Sequence, residues 1–361
     1  MTAVTVRHAL GTYPVYVQPG GLARLAVLVD RYMPRRRVAL VADESVYRLL
    51  REGRLAGAEW DGPALTFPAG ERSKTRETWS RLTDELLGLG FGRDSGIVAL
   101  GGGVAGDLAG FVAATYMRGI SYLQVPTTLL AMLDASVGGK TGVDTPEGKN
   151  LIGAFHPPVA VLADPLVLAT LPDREYRAGL AEAVKHGLIA DREYFGWIET
   201  NAEALVARDP AAVEHLVRRS VEIKADVVGD DEREGGRRAI LNAGHTVAHA
   251  LERATDFRLA HGEAVGLGLL AEAALAAGLG LATPEAGARV GGLLERLGLP
   301  TRVGEPVGEE RILAAMASDK KNRAGGIHFA LPRGVGAMGA GPEWTTEAGE
   351  SAIRAALRAI S

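Results

Sequence analysis

The lysines are the first residues of this chain that suggest chemistry, because they are rare. Only seven of its 40 Lys and Arg residues are lysine, so arginine supplies most of the ordinary surface charge. The lysines are therefore candidates for sites that need a compact ammonium whose pKa can shift. The alternative is that they are leftover surface charges. The seven are Lys74, Lys140, Lys149, Lys185, Lys224, Lys320 and Lys321.

Three of the eight histidines lie in one segment, residues 241–263. His245 and His249 are four residues apart and share a predicted helix face, and His261 stands at a glycine-marked helix start. Two histidines and one carboxylate form a catalytic zinc set with coordination positions open for substrate. Histidine pairs at this spacing also occur in helices without metal. The spacing leaves open which two histidines bind and which glutamate joins them, Glu182, Glu252 or Glu263.

A candidate helix at residues 178–190 carries Glu182 together with Lys185 and His186. These polar side chains project away from the apolar stripe of the same helix. An ordinary solvent-exposed face would explain them, and for an arbitrary helix it usually does. The stripe consists of Leu180, Val184 and Leu188.

A strand, a glycine turn, a helix and a second strand are predicted in succession near the middle of the chain. An apolar run at residues 97–100 ends in a triple glycine, 101–103, and a helix of small residues carrying Asp107 follows. The next apolar run, 122–125, ends just before a threonine pair at 127–128. This order is typical of a dinucleotide site, because glycines let backbone N–H groups approach a pyrophosphate. Tight turns require glycine too, so the motif alone supports either interpretation.

Two charged residues closer to the N-terminus have open roles. Asp43 follows a predicted strand, 38–42, and either contacts a nucleotide or caps the next helix. Lys74 is expected in the first turn of a helix beginning near Ser73, where a cation opposes the helix dipole. We therefore expect Lys74 to have another partner.

At 361 residues the chain can form two domains, each with its own core. Residues 1–172 alternate between strand and helix patterns and predict an α/β nucleotide-binding domain, Rossmann-like with a mostly parallel sheet. Residues 173–361 predict a mostly α-helical domain, with the active site in the cleft between the two. The helix-like segments of the second part are residues 178–190, 202–228, 238–253, 262–281, 284–297 and 309–317.

Composition and charge exclude several classes of function. A net charge of −4 gives no support for binding nucleic acid or an anionic membrane. The chain contains no cysteine, so any metal must be held by histidine and carboxylates. Its longest apolar stretch, residues 264–282, is interrupted by Glu272 and predicts a buried helix rather than a membrane span. Arg7 and His8 stand where a signal peptide needs apolar residues, so the expected location is the cytoplasm.

Seven stretches between residues 67 and 323 closely resemble the 3-dehydroquinate synthase family, in the same order. The resemblance implies a dehydroquinate synthase-like fold, bound NAD, and Zn²⁺ or a similar ion such as Co²⁺. Changes from the family pattern, such as Asp144 and His186, fall where we expect tolerance. The stretches are PAGERSK, LGGGVAGDLAGFVAATYMRG, QVPTTLLAMLDASVGGKTGVDTPEGKNLIGAFHPP, LPDREYRAGLAEAVKHGLI, EIKADVVGDDEREGGRRAILNAGHTVAHALE, LAHGEAVGLG and SDKKN.

The resemblance also implies roles for individual residues. The metal ligands match Glu182, His245 and His261, with His249 in the active site but not on the metal. Arg118 matches an arginine that reaches the neighbouring subunit's site, which implies a homodimer. The NAD contacts match Asp43, Glu71, Lys74, Gly102, Gly103, Asp107, Thr127, Thr128 and Lys149. Substrate and catalytic positions match Asp134, Lys140, Asn150, Lys185, Lys224, Arg238, Asn242, His249 and Lys320.

The implied reaction converts 3-deoxy-D-arabino-heptulosonate 7-phosphate to 3-dehydroquinate and phosphate, a step of the shikimate pathway. NAD⁺ takes hydride from C5, phosphate is eliminated, NADH returns the hydride, the ring opens, and an intramolecular aldol reaction closes the carbocycle. The metal polarises the C5 ketone, and positioning of one flexible substrate dominates the catalytic task. The phosphate contacts implied are Lys140, Asn150, Lys320 and Arg118 of the partner subunit, and Arg238 with Lys224 favour the C1 carboxylate.

Three other functions compete with this interpretation. Another sugar-phosphate cyclase would act on sedoheptulose 7-phosphate, glucose 6-phosphate or an amino substrate. Arg238, Asn242 and Lys320 favour a substrate with a carboxylate. A metal-dependent polyol dehydrogenase would consume NAD stoichiometrically and needs no phosphate cluster. A protein that binds NAD without catalysis is the last alternative.

Overall fold

The computed structural model describes residues 3–34, 36–55, 57–304, 307–317, 326–339 and 344–361. The chain divides into two compact units, Met1–Pro172 and Asp173–Ser361. In the described parts of the chain, no helix is both long and apolar enough to cross a bilayer.

The first unit contains nine strands and four α-helices among its described residues. The strands are β1 (Ala3–His8), β2 (Gly11–Val17), β3 (Arg37–Asp43), β4 (Ala64–Phe67), β5 (Ser95–Gly101), β6 (Ser121–Pro126), β7 (Lys140–Thr145), β8 (Gly148–Phe155) and β9 (Ala160–Ala163). The helices are α1 (Leu25–Tyr32), α2 (Glu44–Arg51), α3 (Arg76–Gly88) and α4 (Gly103–Thr115).

Seven of these strands form one sheet in the order β1-β2-β9-β6-β5-β3-β4. All neighbouring pairs are parallel except β1 with β2. Every residue of the interior strand β5 is buried, as expected for a strand covered on both faces. The mostly parallel, Rossmann-like sheet predicted from the sequence is confirmed.

The core of this unit forms where α4 packs on the sheet. Small and branched side chains of α4, including Ala105, Leu108 and Val112, are buried against Ile97 of β5 and Val143 of β7 in one apolar cluster. The small residues of the helix let it approach the sheet closely. This packing fixes the helix that follows the triple glycine.

An antiparallel hairpin, β7 with β8, follows outside the main sheet. The sequence pattern did not predict it. Its ladder is irregular between Val143 and Thr145, so that Asp144 lies at a bulge.

The second unit is mostly helical, which confirms that prediction. Its helices are α5 (Asp173–Ala190), α6 (Arg192–Thr200), α7 (Ala202–Val206), α8 (Pro210–Asp230), α9 (His245–Ala254), α10 (His261–Gly278), α11 (Glu285–Arg296), α12 (Glu309–Ala317) and α13 (Glu350–Leu357). Short strands β10 (Ile327–Phe329), β11 (Pro332–Gly334), β12 (Ala337–Met338) and β13 (Thr346–Ala348) form two small antiparallel sheets, β10 with β13 and β11 with β12.

Two long helices predicted from the sequence are each divided in the structure. The segment 202–228 breaks into α7 and α8 because Asp209 caps a new helix that begins at Pro210. The segment 238–253 consists of a 3₁₀ turn, Arg237–Asn242, followed by α9. Gly244, with a φ of 80°, separates the two. The second break places His245 at a helix N-terminus.

Candidate functional site

The triple glycine lies between β5 and α4, as the sequence predicts. Gly101 has a φ of 152°, and a Cβ there would lie 2.6 Å from the Ala105 Cβ and 3.1 Å from Asp43 Oδ2. Only glycine therefore lets the strand turn into the helix at this point. Within the described chain, no side chain caps the N-terminus of α4. A helix N-terminus of this kind favours an anion.

Two neighbouring strands end beside this turn. β3 ends at Asp43, whose Oδ1 accepts hydrogen bonds at 3.0 Å from the backbone N–H groups of Ser45 and Val46. The capping role considered for Asp43 is therefore present, and burial raises the pKa of its carboxyl despite these hydrogen bonds. On the other side of β5, the N–H of Thr127 donates to Gly101 O at 2.9 Å. The structure thus brings the candidate cofactor residues of three strand ends together.

Lys74 does not lie in the first turn of a helix, because α3 begins two residues later. Its side chain is buried, and Nζ donates to Asp107 Oδ2 at 2.6 Å and to Asn150 Oδ1 at 2.5 Å. Burial lowers the pKa of Lys74, but Asp107 and Glu71 outweigh it and raise the pKa above its usual value. Lys74 therefore has the further partners that we expected, which are the carboxylate of Asp107 and the side-chain amide of Asn150. Lys149 adds to this cluster with Nζ 3.8 Å from Glu71 Oε1.

The polar face of α5 in the second unit is not solvent-exposed. Glu182, Lys185 and His186 are 0%, 1% and 0% exposed, so the solvent-exposed alternative is wrong. Glu182 Oε2 forms an ion pair with Lys185 Nζ. A buried pair of this kind is costly to desolvate, and its presence points to a functional use.

Glu182 also faces two histidines. Its Oε1 lies 3.7 Å from His245 Nε2 and 3.6 Å from His261 Nε2. One ligand atom from each of the three residues lies within 4.8 Å of the others. On its far side, His245 Nδ1 contacts the carbonyl oxygen of Ala243 at 3.2 Å. Because a carbonyl only accepts, Nδ1 carries the proton and Nε2 presents a lone pair towards Glu182.

The geometry separates the three glutamates that the spacing could not distinguish. Glu182 Oε1 faces the Nε2 atoms of both histidines. Glu252, which is 4% exposed, instead lies 3.5 Å from Nδ1 of His261. Glu263 is held by Arg174 at 2.7 and 2.8 Å and accepts from the N–H of Ala260 at 2.8 Å. The geometry therefore favours Glu182 as the carboxylate beside the histidines.

The surroundings shift the pKa values of the two histidines in opposite directions. Burial and the nearby Lys185 ammonium hold the pKa of His245 well below its usual value. Burial also lowers the pKa of His261, but Glu182 and Glu252 outweigh it and raise the pKa to about 9. Burial therefore lowers the pKa of both histidines, and the neighbouring carboxylates reverse the direction at His261.

Two glycines of α10 allow this cluster to form. A Cβ at Gly262 would lie 1.8 Å from Ala178 O of α5, and a Cβ at Gly268 would lie 1.9 Å from Gly244 O. Neither position can therefore carry a side chain without a shift of the helix. Gly262 follows His261 directly, and Ala178 precedes Glu182 by one helical turn. Glycine at 262 thus lets the His261 end of α10 approach the Glu182 face of α5.

Other predicted residues of the second unit are also buried or held in place. His249 lies beside both cluster histidines, with ring centroids 5.5 Å from His245 and 6.3 Å from His261. Lys224 and Arg238 are buried cations. Asn242 donates to Glu234 Oε1 at 2.6 Å. Lys320 lies outside the described residues.

The sequence did not identify Glu234 as a candidate. It showed Glu272 only as an interruption of an apolar stretch and not as a residue near the site. Glu272 is a buried carboxylate of α10 that accepts from the N–H of Gly244 at 2.7 Å. It thereby fixes the residue that precedes His245. A carboxylate inside an otherwise apolar helix is the signal that could have identified Glu272.

The remaining predicted residues lie in the first unit. Lys140 begins β7, and Asp134 belongs to a π-helical turn, Ala131–Ala135. Arg118 has a φ of 68° and lines an open groove of about 410 Å³. The groove is also lined by Arg36, Arg93, Gly119, Ile120, Ser121, His156, Pro157 and Val159.

Family models match most of the chain. The model for the N-terminal part of 3-dehydroquinate synthase matches residues 64–178, and that for the C-terminal part matches residues 179–322. The chain belongs to the 3-dehydroquinate synthase family. Its Glu182, His245 and His261 all fall within the C-terminal match, and the triple glycine falls within the N-terminal one.

Relatives and solved structures agree with this assignment. The 3-dehydroquinate synthase of Halorhodospira halophila is 49% identical over 326 residues, covering 90% of this chain and 91% of that protein. The 2-epi-5-epi-valiolone synthase ValA of Streptomyces hygroscopicus, solved with NAD⁺ and Zn²⁺, is 33% identical with a TM-score of 0.84 over 99% and 98% of the chains. A 2-deoxy-scyllo-inosose synthase, solved with carbaglucose-6-phosphate, NAD⁺ and Co²⁺, is 26% identical with a TM-score of 0.91 over 99% of each chain.

Proposed function

We propose that the protein converts 3-deoxy-D-arabino-heptulosonate 7-phosphate to 3-dehydroquinate and phosphate, acting as a phosphate-eliminating carbon–oxygen lyase. The observation that carries this proposal is the cluster of buried Glu182 with the partly exposed His245 and His261, in which Lys185 is paired to the same carboxylate. The cluster occurs in a chain of the 3-dehydroquinate synthase family. A phosphorylated substrate and NAD are both available in the cytoplasm, where we place the enzyme.

We assign NAD to the first unit, residues 1–172. The uncapped N-terminus of α4 suits a pyrophosphate, and Asp43, Asp107 and Lys74 supply polar groups beside it. Glu71, Gly102, Gly103, Thr127, Thr128 and Lys149 complete the proposed set.

We assign a divalent metal to the second unit, residues 173–361. Two imidazole nitrogens and one carboxylate oxygen within 4.8 Å form a donor set that suits Zn²⁺ and Co²⁺. The lowered pKa of His245 keeps its imidazole neutral. The raised pKa of His261 leaves a proton on its imidazole, which a bound metal would displace. The bound groups supply a reversible hydride acceptor and a Lewis acid.

The chain's own residues bind and orient the substrate. Lys224 and Arg238 are buried cations in the second unit and are proposed to hold the C1 carboxylate. Asn242, fixed by Glu234, and Lys185, fixed by Glu182, present donors of defined direction to substrate oxygens. His249 is proposed to assist proton movement. We assign the substrate phosphate to Lys140, Asn150 and Lys320. Asp134 is assigned to another part of the substrate.

A cyclase acting on a substrate without a carboxylate is the second candidate. The high TM-score to the 2-deoxy-scyllo-inosose synthase favours it. Against it stands the higher sequence identity to curated 3-dehydroquinate synthases, 49% compared with 26%. Buried Arg238 and Lys224 also favour a carboxylate-bearing substrate.

We further propose that the protein acts as a homodimer through the groove that contains Arg118. Three arginines line this groove, and none of its described lining residues is acidic. Exposed apolar residues of β8, Leu151, Ile152 and Phe155, add a surface suited to burial. Size-exclusion chromatography with light scattering tests the assignment, and a monomer at working concentration would contradict it.

One turnover experiment tests the proposed reaction. Purified protein with Zn²⁺, a small amount of NAD⁺ and the heptulosonate phosphate is expected to release phosphate far in excess of the NAD⁺ supplied. NADH absorbance stays flat, because the hydride returns to the substrate. NADH accumulating with substrate loss would indicate a dehydrogenase. Turnover of sedoheptulose 7-phosphate or glucose 6-phosphate instead would indicate another cyclase.

Replacement of Glu252 by glutamine is expected to weaken binding of the metal about 10–100-fold while leaving the cluster intact. Glu252 lies beside Nδ1 of His261 and orients that ring from outside the proposed ligand set. Competition with a chelator measures the metal affinity directly, and the absorption spectrum of the Co²⁺-loaded protein reports the coordination geometry. Metal affinity equal to that of the wild type would show that Glu252 has no orienting role.

A further inference from the structure

The bulge of the β7–β8 hairpin presents Asp144 to groups outside the ladder. Val143 pairs with Ile152 and Thr145 pairs with Gly148, so Asp144 stands opposite residues 149–151. A bulge of this kind redirects a side chain and frees its backbone N–H from the ladder. From the sequence, Asp144 was expected to be a position where change is tolerated.

Asp144 uses both freed groups. Its backbone N–H donates to the carbonyl oxygen of Lys74 at 2.7 Å. Its Oδ1 accepts from the backbone N–H of Asn150 at 2.8 Å. Asp144 therefore ties the backbone of the Lys74 loop to the hairpin strand that carries Asn150.

The bond to Asn150 supports a strained conformation. Asn150 has a φ of 55°, a left-handed conformation that costs free energy in a residue with a side chain. Its side-chain oxygen meanwhile accepts from Lys74 Nζ at 2.5 Å. The bond from the Asn150 N–H to Asp144 is thus one interaction that holds this conformation, and with it the direction of the amide towards Lys74.

We propose that Asp144 is a positioning residue that holds Asn150 in its left-handed conformation and so sets the direction of the Asn150 amide in the phosphate-binding part of the substrate site. This inference rests on the proposed function, since it takes Asn150 as a phosphate contact. Asp144 itself does not touch the substrate. Lys74 also has a separate 2.6 Å bond to Asp107, so the proposed cofactor contacts are expected to depend less on Asp144.

The environment of Asp144 gives the proposal a second readout. Burial raises the pKa of Asp144 to about 6, and Glu71 adds to this, whereas the Asn150 N–H and Lys74 oppose it. The charged groups around Asp144 are Glu71 and Lys74. Lys149 is paired with Glu71, and Asp107 is paired with Lys74. Asp144 is ionised at neutral pH and becomes a weaker acceptor as the pH falls through about 6.

The test compares three variants of the metal- and NAD-loaded enzyme. D144A removes the acceptor, D144N keeps an oxygen that accepts from Asn150, and E147A is a control. Glu147 is an exposed carboxylate of the same hairpin turn, and its pKa is lowered by a hydrogen bond with Thr145 rather than by any contact with Asn150. KM and kcat are measured with the heptulosonate phosphate, and inorganic phosphate and NAD⁺ are titrated calorimetrically.

D144A is expected to raise KM and the dissociation constant of phosphate about tenfold, with a smaller effect on NAD⁺ affinity. D144N is expected to recover part of this loss, and E147A to match the wild type. The ratio of the D144N KM to the wild-type KM should fall towards one below about pH 6, because Asp144 of the wild type is then protonated and as neutral as asparagine. A ratio is used because titration of the substrate's own phosphate affects both enzymes and cancels.

Two results would overturn the proposal. The first is a D144A enzyme that equals E147A in KM and phosphate affinity. The second is a parallel loss of NAD⁺ affinity, phosphate affinity and thermal stability in D144A, which indicates a purely structural residue. A wild-type enzyme without turnover would instead contradict the proposed function, and the phosphate titration would still test the role of Asp144.

Discussion

Replacement of Glu182 by glutamine is expected to lower kcat/KM about a thousandfold, since the metal contributes several kcal/mol of transition-state stabilisation. Glu182 Oε1 faces His245 and His261, and its Oε2 pairs with Lys185. The neutral amide removes the negative charge that offsets a divalent ion and leaves the Lys185 ammonium buried without its carboxylate partner. Metal affinity measured by chelator competition should fall together with kcat/KM.

The matched control is Glu263→Gln, which makes the same chemical change at a glutamate in the same region of the sequence as His261. Glu263 binds Arg174 and the N–H of Ala260 rather than the histidines, so its loss should leave metal affinity unchanged. Glu182→Asp is a second variant that keeps the charge beside Lys185 but shortens the side chain. Full activity with normal metal binding in Glu182→Gln would exclude Glu182 as a ligand.

Replacement of Gly262 by alanine is expected to destabilise the second unit by about 3 kcal/mol or more, because overpacking here meets backbone rather than a flexible side chain. The new Cβ would lie 1.8 Å from Ala178 O, so α10 must move away from α5. That movement carries His261 away from Glu182, and metal affinity should fall with stability. Urea unfolding followed by far-UV circular dichroism, together with metal titration, measures both effects.

Gly278→Ala is the control for this substitution. Gly278 ends the same helix, and a Cβ there would meet nothing within 4 Å among the described residues. Alanine at this position should leave stability unchanged or raise it by up to about 1 kcal/mol. If Gly262→Ala behaved like Gly278→Ala, the close approach of α10 to α5 would not be what forms the cluster.

Much of the first unit could be predicted from the sequence because its signals are local. Apolar runs at residues 97–100 and 122–125 predicted two strands of the parallel sheet, and the glycines between them predicted the turn. The strand period and the conformational freedom of glycine are properties of short segments. The hairpin with its bulge was not predicted, because pairing of β7 with β8 depends on contacts that alternating patterns specify weakly.

The candidate residues could also be identified from the sequence by their types. The scarcity of lysine, the three clustered histidines and the resemblance to a family were enough to single out Lys74, Lys185, His245 and His261. Spacing could not choose among Glu182, Glu252 and Glu263, because they lie on three different helices. Nor could it show that the polar face of α5 is buried.

Only the tertiary structure decided these questions. It brought α5, α9 and α10 together through glycines that carry no side chain at the points of closest approach. It also gave each glutamate a different set of neighbours and placed Asp144 against Asn150 across a bulge. The sequence by itself thus determined which kinds of groups are available and in which local structures they stand. Their distances and burial arise from packing between segments far apart in the chain, which no local pattern encodes.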